Sequence, residues 1–421
     1  FAPVKMDTLL KMANLDSLSD SDMVKYQRAA MLDPTAPNPS VEAILHAIIP
    51  FKFVDHTHAD SVVAISNTSD GEAKLREIYG DKVLIIPYVM PGFDLAKLVY
   101  EATKETNWEE LEGIILLNHG VFTFDNDAKK SYENMIDLIT KAEKHIYKNG
   151  AIVCGDEVEE ESSFFGSIGN MFGSMFSSAG KCAGDSKKDN QNVEINLLEL
   201  TKIRKAISCK KNQAVIARIN NNKKAVHFSS MPNLDAIANQ GPLTPDHVIR
   251  TKRVPLVIGE NFEESLDKYI SSYNEYFEEN KTEGLVALNP SPNWIVANGF
   301  GTISFGKSVK EAKIIEDITD HTMTAILKGE ALGGYKALSP KEIFDVEYWE
   351  LEQAKLKKGA SCQQFDGKVV LITDALSPAQ RISAKLLKEK GATIAAFDKD
   401  GEVKNLYNKT GEIGIQCNLL N

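Results

Sequence analysis

The chain switches repeatedly between two hydrophobic spacings. In PSVEAILHAII (39–49), Val41, Ile44, Leu45 and Ile48 recur at helical intervals behind Pro39 and Ser40, which predicts a helix. KFVDHTH (52–58) then reads as a strand and ADSVVAISN (59–67) as a helix. KVLIIPYV (82–89) and GIILLNHG (113–120) are apolar runs of strand length, with the amphipathic FDLAKLVYEATK (93–104) between them. DAKKSYENMIDLITKAEKHIYKNG (127–150) predicts a long helix closed by Gly150. The pattern lapses over 155–192, a stretch of acidic, glycine-rich and polar segments that reads as a linker or mobile insertion. Its GSIGNMFGSMFSSAG run offers a membrane-touching Met/Phe hairpin as the weaker reading.

From residue 193 a second α/β unit holds AVIARIN (214–220), KAVHFS (224–229) and NWIVANGFGTISFG (293–306), followed by a long helix beginning at Lys307. That ending repeats the first unit. GVFTFD (120–125) before its long helix matches GTISFG (301–306) before the second, so two related domains are expected. The pairing sets His119 opposite Phe300, and the second copy lacks that histidine. A connecting helix is predicted over 335–364. GKVVLITDA, SPAQRISAKLLKEKGA and TIAAFDKD then form a βαβ start that ends too soon for a complete doubly wound domain.

The 421 residues carry 48 Lys and Arg against 59 Asp and Glu, a formal charge of -11. This balance argues against general nucleic-acid affinity. Cysteines at 154, 182, 209, 362 and 417 are odd in number and form no CxxC pair, which excludes a disulfide scaffold or thiolate zinc site and fits a reducing compartment. No apolar run has the length of a membrane-spanning helix, so a cytoplasmic protein without membrane association is expected. FAPVKMDTLL has neither a signal-peptide layout nor an initiator Met, which suggests that something upstream is absent.

Three of the eight histidines stand out. His56 and His58, two apart on a strand, project from one face. His119 closes a later apolar strand. Three imidazoles meeting at strand ends can hold Zn2+ or another divalent metal and leave a position open to substrate oxygen. Alternatively, the HTH pair caps a strand and His119 satisfies a turn. His145 reads as a helix-surface histidine. Glu42 lies near a helix start, four residues before His46; it could move protons in a metal pocket or merely complement the helix dipole.

Together, PSVEAILHAII, VDHTHADSVVA and IILLNHGVFTF resemble the class II aldolase/adducin family. The resemblance implies metal ligands at His56, His58 and His119 and a catalytic glutamate at Glu42. GPLTPDHVIRTKRVPL (241–256), FDVEYWELEQAKL (344–356) and FDGKVVLIT (365–373) are similar to long bifunctional proteins that join a rhamnulose-1-phosphate aldolase-type region to a short-chain dehydrogenase. The implied fold is α/β: a metal domain over 1–154, a linker or insertion over 155–192, a second aldolase-like domain over 193–334, the connecting helix over 335–364 and a partial Rossmann-like segment over 365–421.

The implied reaction is metal-dependent retro-aldol cleavage of a ketose 1-phosphate to dihydroxyacetone phosphate and an aldehyde, with a sugar phosphate as substrate and a homo-oligomeric assembly. The alternative is an inactive aldolase-like scaffold or assembly protein. The family's glycine- and asparagine-rich phosphate motifs are not found before Glu42, which leaves a shortened N-terminus or lost activity as the two explanations. Lys252 and Arg253 are candidates for an anionic ligand, or else a solvated charged turn. In the C-terminal segment, Thr373 to Gln380 occupy the dehydrogenase turn TGxxxGxG without any of its glycines. Asp374 there opposes a pyrophosphate, and Asp398 matches the ribose-binding acid. Dehydrogenase activity is therefore not expected.

Overall fold

The computed structural model describes residues 2–153, 197–357, 363–409 and 411–418. The expected linker over 155–192 lies outside them. The chain divides into two compact units: Phe1–Ala151 with Lys328–Leu338, and Ile152–Leu327 with Ser339–Asn421.

In the first unit, β1 (Phe53–Thr57), β2 (Val83–Ile86), β3 (Gly113–Leu116) and β4 (Gly120–Asp125) form one sheet in the order β1-β4-β3-β2. β2 and β3 run parallel, whereas β4 is antiparallel to both β3 and β1. Alternation along the strands feeds two cores. Ile86, Ile114, Leu116, Phe122 and Phe124 pack on one face with Leu45, Phe93 and Val99. Val83, Ile85, Ile115 and Val121 pack on the other with Val62, Leu75, Met135 and Leu138. The long helix Ala128–Lys148 buries Ser131, Met135, Leu138, Ala142 and Ile146, a stripe at helical spacing, and Asp127 caps it by accepting the Lys129 and Lys130 amides.

The second unit repeats this plan. β5 (Ile216–Asn220), β6 (Leu256–Ile258), β7 (Trp294–Ala297) and β8 (Gly301–Gly306) are ordered β5-β8-β7-β6, with the same parallel and antiparallel pairings. KAVHFS lies in the helix Lys223–Ser229, as the helix Asp60–Ser66 follows β1. The two registers align the copies residue by residue. Thr57 faces Val121 and Asn220 faces Thr302, so His56, His58 and His119 correspond to Ile219, Asn221 and Phe300. Phe300 packs against the apolar core of its own domain.

Three local expectations are corrected. The helix expected over 39–49 spans only Ala43–Ile48, because the Ser40 hydroxyl takes the Glu42 amide at 3.2 Å and Val41–Glu42 form a turn. The single connecting helix is two short ones, Pro340–Glu347 and Glu350–Lys357; the first carries a capping box at Ser339 and packs Phe344 on Tyr276 and Phe277. Lys252 is no solvated turn. It is buried, 3.2 Å from Glu347 and 2.9 Å from the Tyr273 hydroxyl, while Arg253 lies over the Tyr276 ring.

The C-terminal strands β9 (Val369–Thr373), β10 (Thr393–Asp398) and β11 (Glu412–Gln416) are parallel, in the order β11-β10-β9. The Asp398 carboxylate accepts the Leu376 amide at 3.0 Å and the Asp400 amide at 3.1 Å. The residue matched to the ribose-binding acid thus engages its carboxylate with backbone amides, one of them in the turn matched to the pyrophosphate loop.

Candidate metal centre

Antiparallel pairing assembles this site. Because β1 and β4 run in opposite directions with Thr57 beside Val121, the end of β1 lies against the start of β4. His56 and His58 therefore meet His119 although it lies far along the chain from them. Each offers one nitrogen, and the three nitrogens lie within 4.8 Å of one another. The ring centroids are separated by 5.0 Å (His56–His58), 5.4 Å (His56–His119) and 4.7 Å (His58–His119).

The orientation of His56 is fixed from behind. Its ring stacks on Phe122 at 4.0 Å, and its Nδ1 lies 3.0 Å from the Val121 carbonyl. An N–H donated there leaves the Nε2 lone pair facing the cluster, the tautomer a metal requires. That Nε2 is buried without a hydrogen-bond partner, as is Glu42 Oε1 3.5 Å away. Buried polar atoms left unpaired in one small space fit a cation that uses them as ligands or neighbours.

Glu42 faces the same space. Its side chain makes no helix-capping bond. Instead Oε1 approaches His119 Nε2 to 3.1 Å and His56 Nε2 to 3.5 Å, outside hydrogen-bond geometry. Burial pushes its carboxyl up, but the contact with His119 and the charges of His56, His119 and His58 outweigh burial and hold it down at about 2. Burial in turn lowers His56 to about 4 against the pull of Glu42. Near neutral pH the site thus combines a carboxylate with a neutral His56, the protonation state for metal binding. His46 turns its ring edge to Phe122 and is lowered by burial. His145 is half-buried on the long helix.

The turn before β4 delivers His119. Its amide donates to the Leu116 carbonyl at 3.2 Å, and Asn118 sits at φ 58°, a conformation that Gly or Asn tolerates. Gly120 follows because no side chain fits: a Cβ there would lie 2.6 Å from the Thr57 carbonyl oxygen and 2.9 Å from His56 Cε1. Asn118 and Gly120 escape a search for reactive side chains, although the NHG string itself signals them.

Comparison with known proteins bears on the whole chain. Residues 11–146 match the model of the class II aldolase and adducin N-terminal domain, and residues 194–356 match that of the class II aldolase second domain. The uncharacterized oxidoreductase YuxG of Bacillus subtilis (strain 168) is 26% identical over 439 residues; the match covers all of this chain but 60% of that protein, so the chain spans less than two thirds of its length. An N-terminal class II aldolase domain of a conserved protein from Thermoplasma acidophilum is 39% identical over 34% of this chain and 65% of its own, with a TM-score of 0.32. An aldolase II superfamily protein from Pseudomonas syringae is 16% identical over 36% of this chain and 67% of its own, with a TM-score of 0.25. Topology and family models agree: the chain carries tandem class II aldolase-like α/β domains, followed by a parallel β9–β10–β11 segment of partial Rossmann-like form.

Proposed function

We propose that the first domain cleaves a ketose 1-phosphate of the rhamnulose 1-phosphate type by a metal-dependent retro-aldol reaction. The observation that carries this reading is the convergence of His56, His58 and His119 beside an ionised, half-buried Glu42. The three imidazoles would hold a divalent ion such as Zn2+. When bound, such an ion supplies Lewis acidity toward the substrate's carbonyl and adjacent hydroxyl oxygens.

Cleavage breaks the bond between C3 and C4. The C4 hydroxyl loses its proton as it becomes the aldehyde, the bonding electrons pass to C3, and C3 takes up a proton to give dihydroxyacetone phosphate. Glu42, beside His119 and His56, would accept and return a proton. Its low pKa keeps it in the accepting form.

The competing reading, a scaffold without catalysis, is favoured by the second copy, where Ile219, Asn221 and Phe300 replace the whole triad. Bound metal per chain, measured on unchelated protein beside His58→Ala, separates the two. One ion per chain, lost in the variant, with ketose-phosphate cleavage abolished by Glu42→Ala, supports the aldolase. A folded wild type without metal supports the scaffold.

A further inference from the structure

The two copies share the turn that precedes β4 and β8. Phe300 donates its amide to the Ala297 carbonyl at 3.0 Å, as His119 does to Leu116. Gly299 occupies the left-handed position at φ 69°, where the first copy has Asn118 at φ 58°. Glycine suits such a position best. The copy without the metal histidines uses it, whereas the copy with them keeps a less favourable residue.

Contacts explain that choice. The Asn118 carboxamide donates to Asn67 Oδ1 at 2.8 Å, and its backbone amide donates to the Ser66 hydroxyl at 2.7 Å. Asn67 is itself buried and anchored by a distant piece of chain. Its carbonyl accepts the Lys336 amide at 2.7 Å, and its side-chain nitrogen reaches the Tyr335 hydroxyl at 3.4 Å. Thr68 forms a β-bridge with Tyr335, whose ring packs on Gly329, and Leu332 joins the core behind the sheet. The strap Lys328–Leu338 thus belongs to the first unit although it follows the second domain in sequence.

We infer that Asn118 and Asn67, braced by Tyr335 of this strap, are positioning residues that fix the backbone presenting His119 to the metal. The inference rests on the metal reading of the triad. It assigns the strap a role in the first domain's site: Tyr335 holds Asn67, Asn67 holds the Asn118 side chain, and Asn118 sets the turn that aims His119.

The test uses Co2+ alone, titrated into the full chain after metal removal, with the visible absorption band and a competing chelator as readouts. Asn118→Gly removes the carboxamide while keeping a backbone that the second copy already adopts. The chain is expected to stay folded, the relief at the left-handed position partly offsetting the lost bond to Asn67, while Co2+ affinity falls roughly tenfold or more and the band shifts. Tyr335→Phe keeps the ring and removes the hydroxyl, and is expected to weaken Co2+ binding in the same direction by a smaller factor. Wild-type affinity and spectrum in Asn118→Gly would overturn the inference while leaving the metal site intact; an unchanged Tyr335→Phe would overturn the strap's part. Failure of the wild type to bind Co2+ would overturn the metal reading and, with it, this one.

Discussion

Gly120→Ala tests the site at its most crowded point. The added Cβ would stand 2.6 Å from the Thr57 carbonyl oxygen, 2.9 Å from His56 Cε1 and 3.1 Å from His58 Cδ2. Ordinary contact begins near 3.4 Å, so the carbonyl is about 0.8 Å too close. That oxygen belongs to β1, which is paired along its length with β4, so it cannot retreat alone. Overpacking of this kind costs about 1–3 kcal/mol, and a unit of this size loses roughly 2–4 °C of melting temperature per kcal/mol. The second consequence is specific to metal binding. The same Cβ displaces both imidazoles of the HTH pair, whereas metal–ligand distances tolerate only about 0.2 Å. A tenfold or greater loss of Co2+ affinity is therefore expected on the scale of second-shell substitutions. Gly80→Ala is the control: its positive φ strains a side chain, but its Cβ meets nothing within 4 Å. It should lower the melting temperature without changing Co2+ affinity. The paired assays are calorimetric melting and Co2+ competition. Wild-type values for Gly120→Ala in both would refute the packing argument.

Three further outcomes follow from the same geometry. In metal-free protein, native His56 resists protonation down to about 4 while the unfolded chain takes up a proton near 6.5, so stability falls as pH drops through that window; Glu42, held near 2 against an ordinary 4.5, contributes stability that is complete above 4.5 and lost below it. A melting temperature that declines from pH 7 to 3, with a flatter limb below 4.5 in Glu42→Gln, is expected, and a flat wild-type profile would count against both assignments. Lys252→Met strands the Glu347 carboxylate, which is 1% exposed, and should cost about 3–5 kcal/mol, most of it recovered when Glu347→Leu is added. A double-variant loss equal to the sum of the two single-variant losses, read by thermal denaturation, would show that the pair is not coupled. The double variant Asn118→Gly/His119→Phe copies the second domain's turn and should fold with wild-type secondary structure but bind no metal; retained stoichiometry would remove His119 from the ligand set.

Legibility in the sequence followed the range of the physics. β1 to β4 and the long helix could be read because each buries a local pattern, two-fold or helical, that needs no partner to be visible. The triad could be read because metal-binding side chains are few and the HTH and NHG strings stand at strand ends. Glu42 could be placed near a helix start, but the late start at Ala43 depends on the Ser40 hydroxyl capturing one amide. Lys252 was opaque for a different reason. Its charge in TKR resembles a surface turn, and what buries it is Glu347, far away in sequence. The same holds for Asp398, whose carboxylate is spent on the amides of Leu376 and Asp400. Asn67 and Tyr335 carry no chemical signature at all, and only their contacts assign them a part.

The second copy also bears on why the first one holds so much buried polarity. Both domains build the same sheet, the same left-handed turn and the same glycine at the start of the following strand: Gly120 is crowded by the Thr57 carbonyl, and Gly301 by the Asn220 carbonyl. These are demands of the backbone, and both copies meet them. The histidines are not such a demand, because the second copy folds with Ile219, Asn221 and Phe300 in their places. In the first copy, His56 Nε2 and Glu42 Oε1 lie 3.5 Å apart, both buried without hydrogen bonds, and each such atom costs about 1–3 kcal/mol relative to a satisfied one. A domain that could fill the same space with apolar side chains, yet sets two such atoms side by side among three histidines, gains from a compensating interaction there. A divalent cation held by the three imidazoles would supply it, with Glu42 balancing its charge. On this argument, metal removal should destabilise the first domain and leave the second unaffected.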